Sequence, residues 1–441
     1  MNCRQLCFAV FILICGKASA QPADSTGVLP ANASLQDCID YALKNRATIR
    51  KAVIDEEIGE RDIASSLAAW YPQIGASASY NYNVKIPTAV IGDQVIVMGQ
   101  KNASAVVLQA DQQLVNPKLI QATKAAKIIR ELNSQNTEQN KINTVVEVSK
   151  AYYDILTTEE QLGIIAANIQ RIEKQLADAT IRFETGLVDQ TDYKRARITL
   201  SNSRADEKRT LEILKYKYAY LKELIGLDGR QELTLSFDDQ DIETQVLMDT
   251  TATLDPNKRI EYQLLSTQKR LQVLNTKYSK FSYLPSLSAF YNYAWDYRNN
   301  DFGALYSRGF PRSVFGLSFN FSIFDGNKRL HELRKSELME SRLDWDMLQL
   351  KNQINTQYEM ALASYNASLN DWITAKENVQ LSTDVYDVIK LQYDEGLKTY
   401  LDLMTAETDL RTTQINYLNA LYAVLSSKLD VQRALGDIAA K

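Results

Sequence analysis

Ile74-Gly75-Ala76-Ser77-Ala78-Ser79-Tyr80-Asn81-Tyr82-Asn83-Val84 alternates without a break. Ile74, Ala76, Ala78, Tyr80, Tyr82 and Val84 fall on one face, and Gly75, Ser77, Ser79, Asn81 and Asn83 on the other. A period of two with one apolar and one small-polar face marks a strand whose two sides meet different surroundings. Further along, Leu287, Ala289, Tyr291, Tyr293 and Trp295 oppose Ser286, Ser288 and Asn292. A partner follows in which Phe315, Leu317, Phe319, Phe321 and Ile323 oppose Ser318, Asn320 and Ser322. Residues 105–115 form a less regular partner for the first strand. A soluble sheet on a core and a membrane barrel with lipid outside both fit strands of about 10 residues. Tyr and Trp crowded near the strand ends favour the membrane, where such rings line the interfaces. Polar loops at 86–104 and 298–312 point the same way.

These strand pairs sit in two halves that match at an offset near 210 residues. Tyr71-Pro72 before the first strand recurs as Leu284-Pro285, and Phe183-Glu184-Thr185-Gly186-Leu187 recurs as Tyr393-Asp394-Glu395-Gly396-Leu397. Asp192 matches Asp402, Ala196 matches Ala406, Leu200 matches Leu410 and Gly226 matches Gly436. Generic likeness between coiled coils explains matching Leu and Ala, but not paired Gly, Pro and Asp. The expected division is a first repeat over 21–226, with strands near 73–84 and 105–115 and long helices over 118–186 and 189–226. An acidic, less periodic side element at mid-height follows over 227–255. The second repeat covers 256–441, with strands near 285–297 and 313–324 and helices over 326–396 and 398–436.

The helical stretches contain no proline between Pro117 and Pro256 or beyond Pro311. Leu162, Ile165, Ile169, Ile172, Leu176, Ala179 and Phe183 recur at alternating spacings of three and four. Leu403, Ala406, Leu410, Thr413, Tyr417, Ala420 and Val424 do the same. That heptad spacing supercoils helices left-handedly around one another. Gly186 and Gly396 break the runs, so each half ends in a helical hairpin far from its strands. The helices alone fit a soluble coiled-coil rod, and an exported structural or adhesive fibre is the alternative reading. A rod has no use for amphipathic hairpins with aromatic belts.

Composition narrows the class. The 441 residues include 16 Gly, 8 Pro, 24 Tyr and a single His, with a net charge of −4, which excludes a basic nucleic-acid binder. Residues 1–20 read as a secretory signal: Arg4, an apolar centre from Phe8 to Ile14, and Ala18-Ser19-Ala20 before Gln21. Its removal takes Arg4 and Lys17, which leaves 48 basic residues against 54 acidic ones and a net charge of −6. Ile14 stands where lipidation of Cys15 normally requires a small residue, which disfavours that modification. Cys3, Cys7 and Cys15 leave with the signal, and Cys38 alone forms neither a disulfide within the chain nor a cysteine metal site. No later run of about 18 apolar residues proposes a membrane helix. There is no Gly-rich phosphate loop, nucleophile elbow or metal-ligand spacing, and His331 sits in a solvated Lys/Arg/Glu-rich stretch. The reading is therefore of a non-enzyme without cofactor or metal.

Four strands cannot close a membrane barrel, whose smallest members have about eight. An open edge in lipid leaves backbone groups unpaired at several kcal/mol each, so the chain is expected to oligomerise. Three copies give twelve strands and a passage, whereas eight strands are filled by side chains.

On these features the chain resembles the TolC-like outer-membrane efflux proteins over essentially its whole mature length. The resemblance rests on the duplicated halves, the two strand starts, Phe324-Asp325-Gly326-Asn327-Lys328-Arg329, and the two tips. Those tips read Phe183-x-x-Gly186-Leu187-Val188-x-x-x-Asp192 and Tyr393-x-x-Gly396-Leu397-x-x-x-x-Asp402. It implies a homotrimer with a twelve-stranded outer-membrane β-barrel continued by a twelve-helix periplasmic tunnel. It also implies no catalysis, a periplasmic adaptor and an inner-membrane pump. In that family a Tyr and a basic residue on one hairpin reach a Thr-Asp pair on a neighbouring coil, and acidic residues ring the remaining hole. Matching around the tip glycines assigns Tyr393 and Lys398 to the first pair, Thr191 and Asp192 to the second, and Asp402 to the ring. Adaptor docking falls to Gly186, Leu187, Val188, Gly396 and Leu397. Two positions depart from the pattern. Lys398 stands where Arg is frequent and lacks its bidentate fork, and the second acidic position is Thr405. An ordinary solvated or helix-capping role for Asp192 and Asp402 stays open.

Overall fold

A computed structural model describes residues 29–30, 32–185, 190–236, 246–249 and 252–438. The signal segment, the tip residues Gly186, Leu187 and Val188, and parts of the expected side element (237–245 and 250–251) lie outside the described residues.

Four strands form one antiparallel sheet in the order β2-β5-β7-β8: β2 (Gln73–Tyr82), β5 (Asn102–Val115), β7 (Ser286–Asn299) and β8 (Gly309–Asn320). The register brings the apolar positions into continuous rows. Ile74 faces Ala110, Ala110 faces Tyr291, and Tyr291 faces Phe315. That side of the sheet is mainly aromatic and aliphatic, with Ser104, Gln112 and Ser313 also on it, and Gln109, Asp111, Asn292, Asp296 and Arg312 lie on the other. Arg312 and Asp296 pair across it at 3.8 Å. Both outer strands are unpaired on one side within the chain, β2 at one edge and β8 at the other.

The strands differ from the sequence reading at their ends for local reasons. β8 stops at Asn320 because its partner begins at Ser286, just after Pro285, so Phe321 to Phe324 have no ladder opposite them. At its other end β8 runs to Gly309 through Pro311, which an edge strand tolerates. The expected polar loop at 86–104 instead holds a short hairpin, β3 (Thr88–Ile91) and β4 (Gln94–Val97), turned at Gly92-Asp93. A two-residue strand β1 (Asn32–Ala33) pairs in parallel with β6 (Thr234–Leu235).

The helices are α1 (Leu35–Asn45), α2 (Ala47–Leu67), α3 (Pro117–Glu184), α4 (Gln190–Ile225), α5 (Ile260–Phe281), α6 (Lys328–Asp394) and α7 (Tyr400–Leu435). With 68 and 67 residues, α3 and α6 each extend about 100 Å at 1.5 Å per residue. Asn116 caps α3 by accepting from the Lys118 amide at 3.0 Å, with Pro117 in the first turn. α6 starts at 328 rather than 326 because Gly326 and Asn327 are both left-handed (φ 65° and 66°). Asp325 holds that turn by accepting from Arg329 Nε at 2.7 Å.

The two long helices span two levels. Next to the sheet the lateral order is α2-α3-α5-α6, tied by Trp70 to Thr123, Gln121 to Asn275 and Gln272 to Ser336. Beyond it the order is α4-α3-α7-α6. Where the levels meet lies the largest buried cluster, including Cys38, Tyr152, Ile155, Leu221, Leu235, Val246, Tyr365 and Leu425. Tyr365 closes it by donating to the Val246 carbonyl at 3.0 Å. Duplication is visible in the chemistry at this level. α4 and α7 end in the same Schellman turn, at Gly226 and Gly436, each pressed on the backbone entering α2 or α5. Arg46 reaches Glu147 in one half, and Arg259 reaches Gln357 in the other. Among the described residues no helix is long and apolar enough to cross a membrane.

Candidate gate and docking tips

At the end far from the sheet, α6 stops in a third Schellman turn. The Gly396 amide donates to the Tyr393 carbonyl at 3.0 Å and the Leu397 amide to Gln392 at 2.8 Å, with Gly396 at φ +77°. Only a residue without Cβ adopts that conformation at no steric penalty. The turn throws Leu397 outward, where it is largely exposed. A capping box then opens α7. Thr399 donates from its amide and hydroxyl to Asp402 at 3.0 and 2.8 Å, and accepts from the Asp402 amide at 3.3 Å.

Asp402 therefore has a structural use inside its own hairpin. The bonds from the Thr399 backbone and side chain hold its carboxyl below the ordinary value of 3.8, and the nearby Lys398 charge adds to the effect. Because the folded value is depressed, this stabilisation is fully present above pH 3.8 and fades as the pH falls through the lower folded value. Amide exchange at 400–403 is expected to stay slow down to that pH in the natural protein. In Asp402→Asn the protection of these amides, taken relative to their intrinsic exchange rate at each pH, is expected to be lower and unchanged by pH over this range. Identical profiles would remove the cap from the account.

Of the sequence-derived gate set, Tyr393 and Asp192 are brought into electrostatic range of each other. Burial pushes the Tyr393 phenol up, the Arg182 guanidinium pulls it down, and the Asp192 carboxylate raises it again. Arg182 lies over the Tyr393 ring at 5.1 Å. Asp192 stands in the first turn of α4, with Thr191 just before it, and Phe183 stacks on Tyr193 at 6.1 Å to close that hairpin. Within one chain Lys398 is sensed by Asp402, and among the described residues no hydrogen bond or ion pair joins it to Asp192. Thr405 bonds back to the Leu401 carbonyl at 2.9 Å.

The same region holds groups that sequence reasoning missed. Tyr400 is 3% exposed, packs 6.2 Å from Tyr393, and its hydroxyl has no hydrogen-bond partner among the described residues. Burial, Glu407 and Asp192 all push its phenol well above the usual range. Two turns further along α7, Glu407 is 4% exposed and accepts from Asn168 Nδ2 at 3.0 Å, Arg171 Nε at 3.0 Å and Gln175 Nε2 at 2.8 Å. The three donors sit at i, i+3 and i+7 on α3, beside the Ile165, Ile169, Ile172 seam. That polar stripe was the only signal in the sequence, and it does not name its partner more than 230 residues away.

Residues 38–227 and 275–437 match the family model described as outer membrane efflux protein. The outer membrane protein TolC of Vibrio cholerae is 20% identical over 409 residues, covering 92% of this chain and 91% of that protein. Among solved structures, that of CusC superposes with a TM-score of 0.73 at 17% identity, covering 91% of both chains. The Campylobacter jejuni CmeC outer membrane channel gives a TM-score of 0.72 at 17% identity, over 91% of this chain and 85% of that one. A sheet with one lipid-compatible face, two helices about 100 Å long that end in hairpins, and this match have one meaning: the chain belongs to the outer membrane efflux protein family and is an outer-membrane channel with a helical tunnel reaching into the periplasm.

Proposed function

We propose that three copies close into a passive exit duct, shut at its inner end, that receives its cargo from a periplasmic adaptor and an inner-membrane pump. The observation that carries this reading is the position of the unused edges. At every level the chain has one free side made of β2, α2 and α4 and another made of β8 and α6. In the antiparallel sheet β8 runs opposite to β2, so β8 of one copy continues the ladder on β2 of the next. Twelve strands then leave no edge in lipid.

The helical edges are matched as well. On α6 the face turned away from α7 carries Met360, Ala367, Thr374, Leu381 and Val388, one every seven residues and all exposed in the single chain. That is a second heptad seam awaiting a helix. α4 offers Ile198, Ala205, Tyr216 and Tyr220, also exposed. Charge favours the same pairing: α4 holds nine Lys and Arg against five Asp and Glu, while 358–394 of α6 holds six acids against two bases.

The duct has no means of using nucleotide, so the energy is the pump's. The exposed Leu397 on its glycine turn, with the matching Gly186-Leu187-Val188 tip, is the surface an adaptor would grip. Drug efflux and protein secretion share this architecture, because the partner chooses the cargo. Purified protein added to planar bilayers is expected to insert as a single class of low-conductance channel. Protein that inserts into vesicles but never conducts would refute the duct.

A further inference from the structure

The closed inner end proposed above poses a question of leverage: where along its length does each protomer begin to come apart? Its two hairpins, α3–α4 and α6–α7, touch at several points near the tip. The outermost is the stacking of Arg182 over Tyr393 at 5.1 Å, which exchanges easily for water. Next is the Thr199 hydroxyl against Met404 Sδ at 3.7 Å. Above that is Glu407 with its three donors, and above Glu407 is Arg411 to Asp206 at 3.6 Å.

Glu407 differs from the rest in kind. Both of its oxygens are occupied, it is nearly sealed from solvent, and its contacts reach all four helices. Asn168 and Arg171 belong to α3, and Asn168 Oδ1 accepts from Ser203 of α4 at 3.4 Å. The Arg171 guanidinium lies 5.8 Å from the Tyr386 ring of α6. Separating the hairpins at this level would strand a buried carboxylate and a half-buried guanidinium, a far costlier event than losing the contacts below. From Glu407 back to Tyr400, the first residue of α7, is seven residues, about 10 Å of helix at 1.5 Å per residue, and the glycine turn lies below that.

We infer that Glu407 is the fulcrum of the gate: a positioning residue that clamps the two hairpins together, so that opening moves only the terminal segment below it. The inference rests on the reading that the inner end is shut at rest. The clamp stays closed in both states, and its removal lets the hairpins separate over a longer stretch and leaves the channel leaky.

The test is bilayer conductance of Glu407→Ala and Glu407→Gln beside the natural protein and Asp192→Ala/Lys398→Ala. Heat-stable assembly on gels is measured for each. Glu407→Ala is expected to raise basal conductance about tenfold or more with assembly unchanged. Glu407→Gln, which keeps the shape but turns a donor toward Asn168 or Gln175, is expected to fall between. Arg171→Met combined with Glu407→Gln should add little to either alone. A short thiol-reactive cross-linker between Thr199→Cys and Met404→Cys, close to the clamp, should leave the Asp192/Lys398 variant open, whereas the same cross-linker between Arg182→Cys and Tyr393→Cys should shut it. Natural conductance in both Glu407 variants, with the Asp192/Lys398 variant open, overturns the fulcrum and leaves the gate standing. An Asp192/Lys398 variant shut by the upper cross-link also overturns it. High conductance in the natural protein removes the gate, and the fulcrum with it.

Discussion

Asp192→Ala combined with Lys398→Ala is expected to raise the resting conductance of the channel by at least about tenfold, without loss of assembly. Asp192 stands near Tyr393 at the end far from the sheet, and Lys398 follows the glycine turn with its charge felt by the cap-forming Asp402. In the proposed ring of three, the tip of one hairpin would meet the α4 start of the next copy, and the Lys398 ammonium and Asp192 carboxylate would face each other across the seam. Hydrogen bonds to charged groups are worth about 1.5–3 kcal/mol each. Every 1.4 kcal/mol moves an open–closed equilibrium about tenfold. Three such bonds opening together therefore have ample leverage, even after solvent screening at a partly wet neck. Lys398→Arg is expected to tighten the seam, because the guanidinium adds the bidentate fork that Lys lacks. Conductance unchanged in the double variant would take these residues out of the gate, and Asp192 would revert to an ordinary first-turn acid.

Leu381→Asp with Val388→Asp should have the other large effect, on assembly rather than on gating. In a single chain these side chains are 55% and 53% exposed, so the protomer has little reason to notice the change. In the proposed ring they lie in the seam against α4. Burying a Leu or Val side chain is worth about 1.5–3 kcal/mol, and a carboxylate placed there adds an uncompensated charge. With both positions repeated in three copies, the heat-stable oligomer is expected to disappear while far-ultraviolet helicity of the protomer persists. Leu381→Met, which keeps the apolar volume, should assemble normally. An undiminished oligomer in the Asp variant would mean that the Met360-to-Val388 stripe faces water.

The two expectations differ in how far the sequence alone supports them. The fold class was readable because two different periods stand next to each other in one chain. Alternation at 74–84 and 287–295 demands a sheet with unlike faces, and heptads at 162–183 and 403–424 demand long paired helices. What escaped was local and had physical causes. The ladder opposite Pro285 could not continue, and Pro311 sits within the first residues of β8, next to the loop that enters it. The β3–β4 hairpin did carry a signal, apolar runs on either side of Gly92-Asp93, that the expectation of a polar loop obscured. At the tips, Gly396 was legible because a left-handed turn needs it, and the helix-capping role left open for Asp402 is the one its bonds to Thr399 fill. Glu407 was illegible for a deeper reason. Its meaning lies in donors on another helix, and a glutamate one place along from a heptad position looks like any solvated acid.

The most direct test of the central claim, that one chain is a third of a closed duct, is the native mass of the protein extracted from membranes in mild detergent. A particle containing three chains, mostly helical with a minor β component, is the predicted result. A single chain or a dimer, stable in water without detergent, would contradict it, because β2 and β8 would then have to satisfy their open edges without a neighbour.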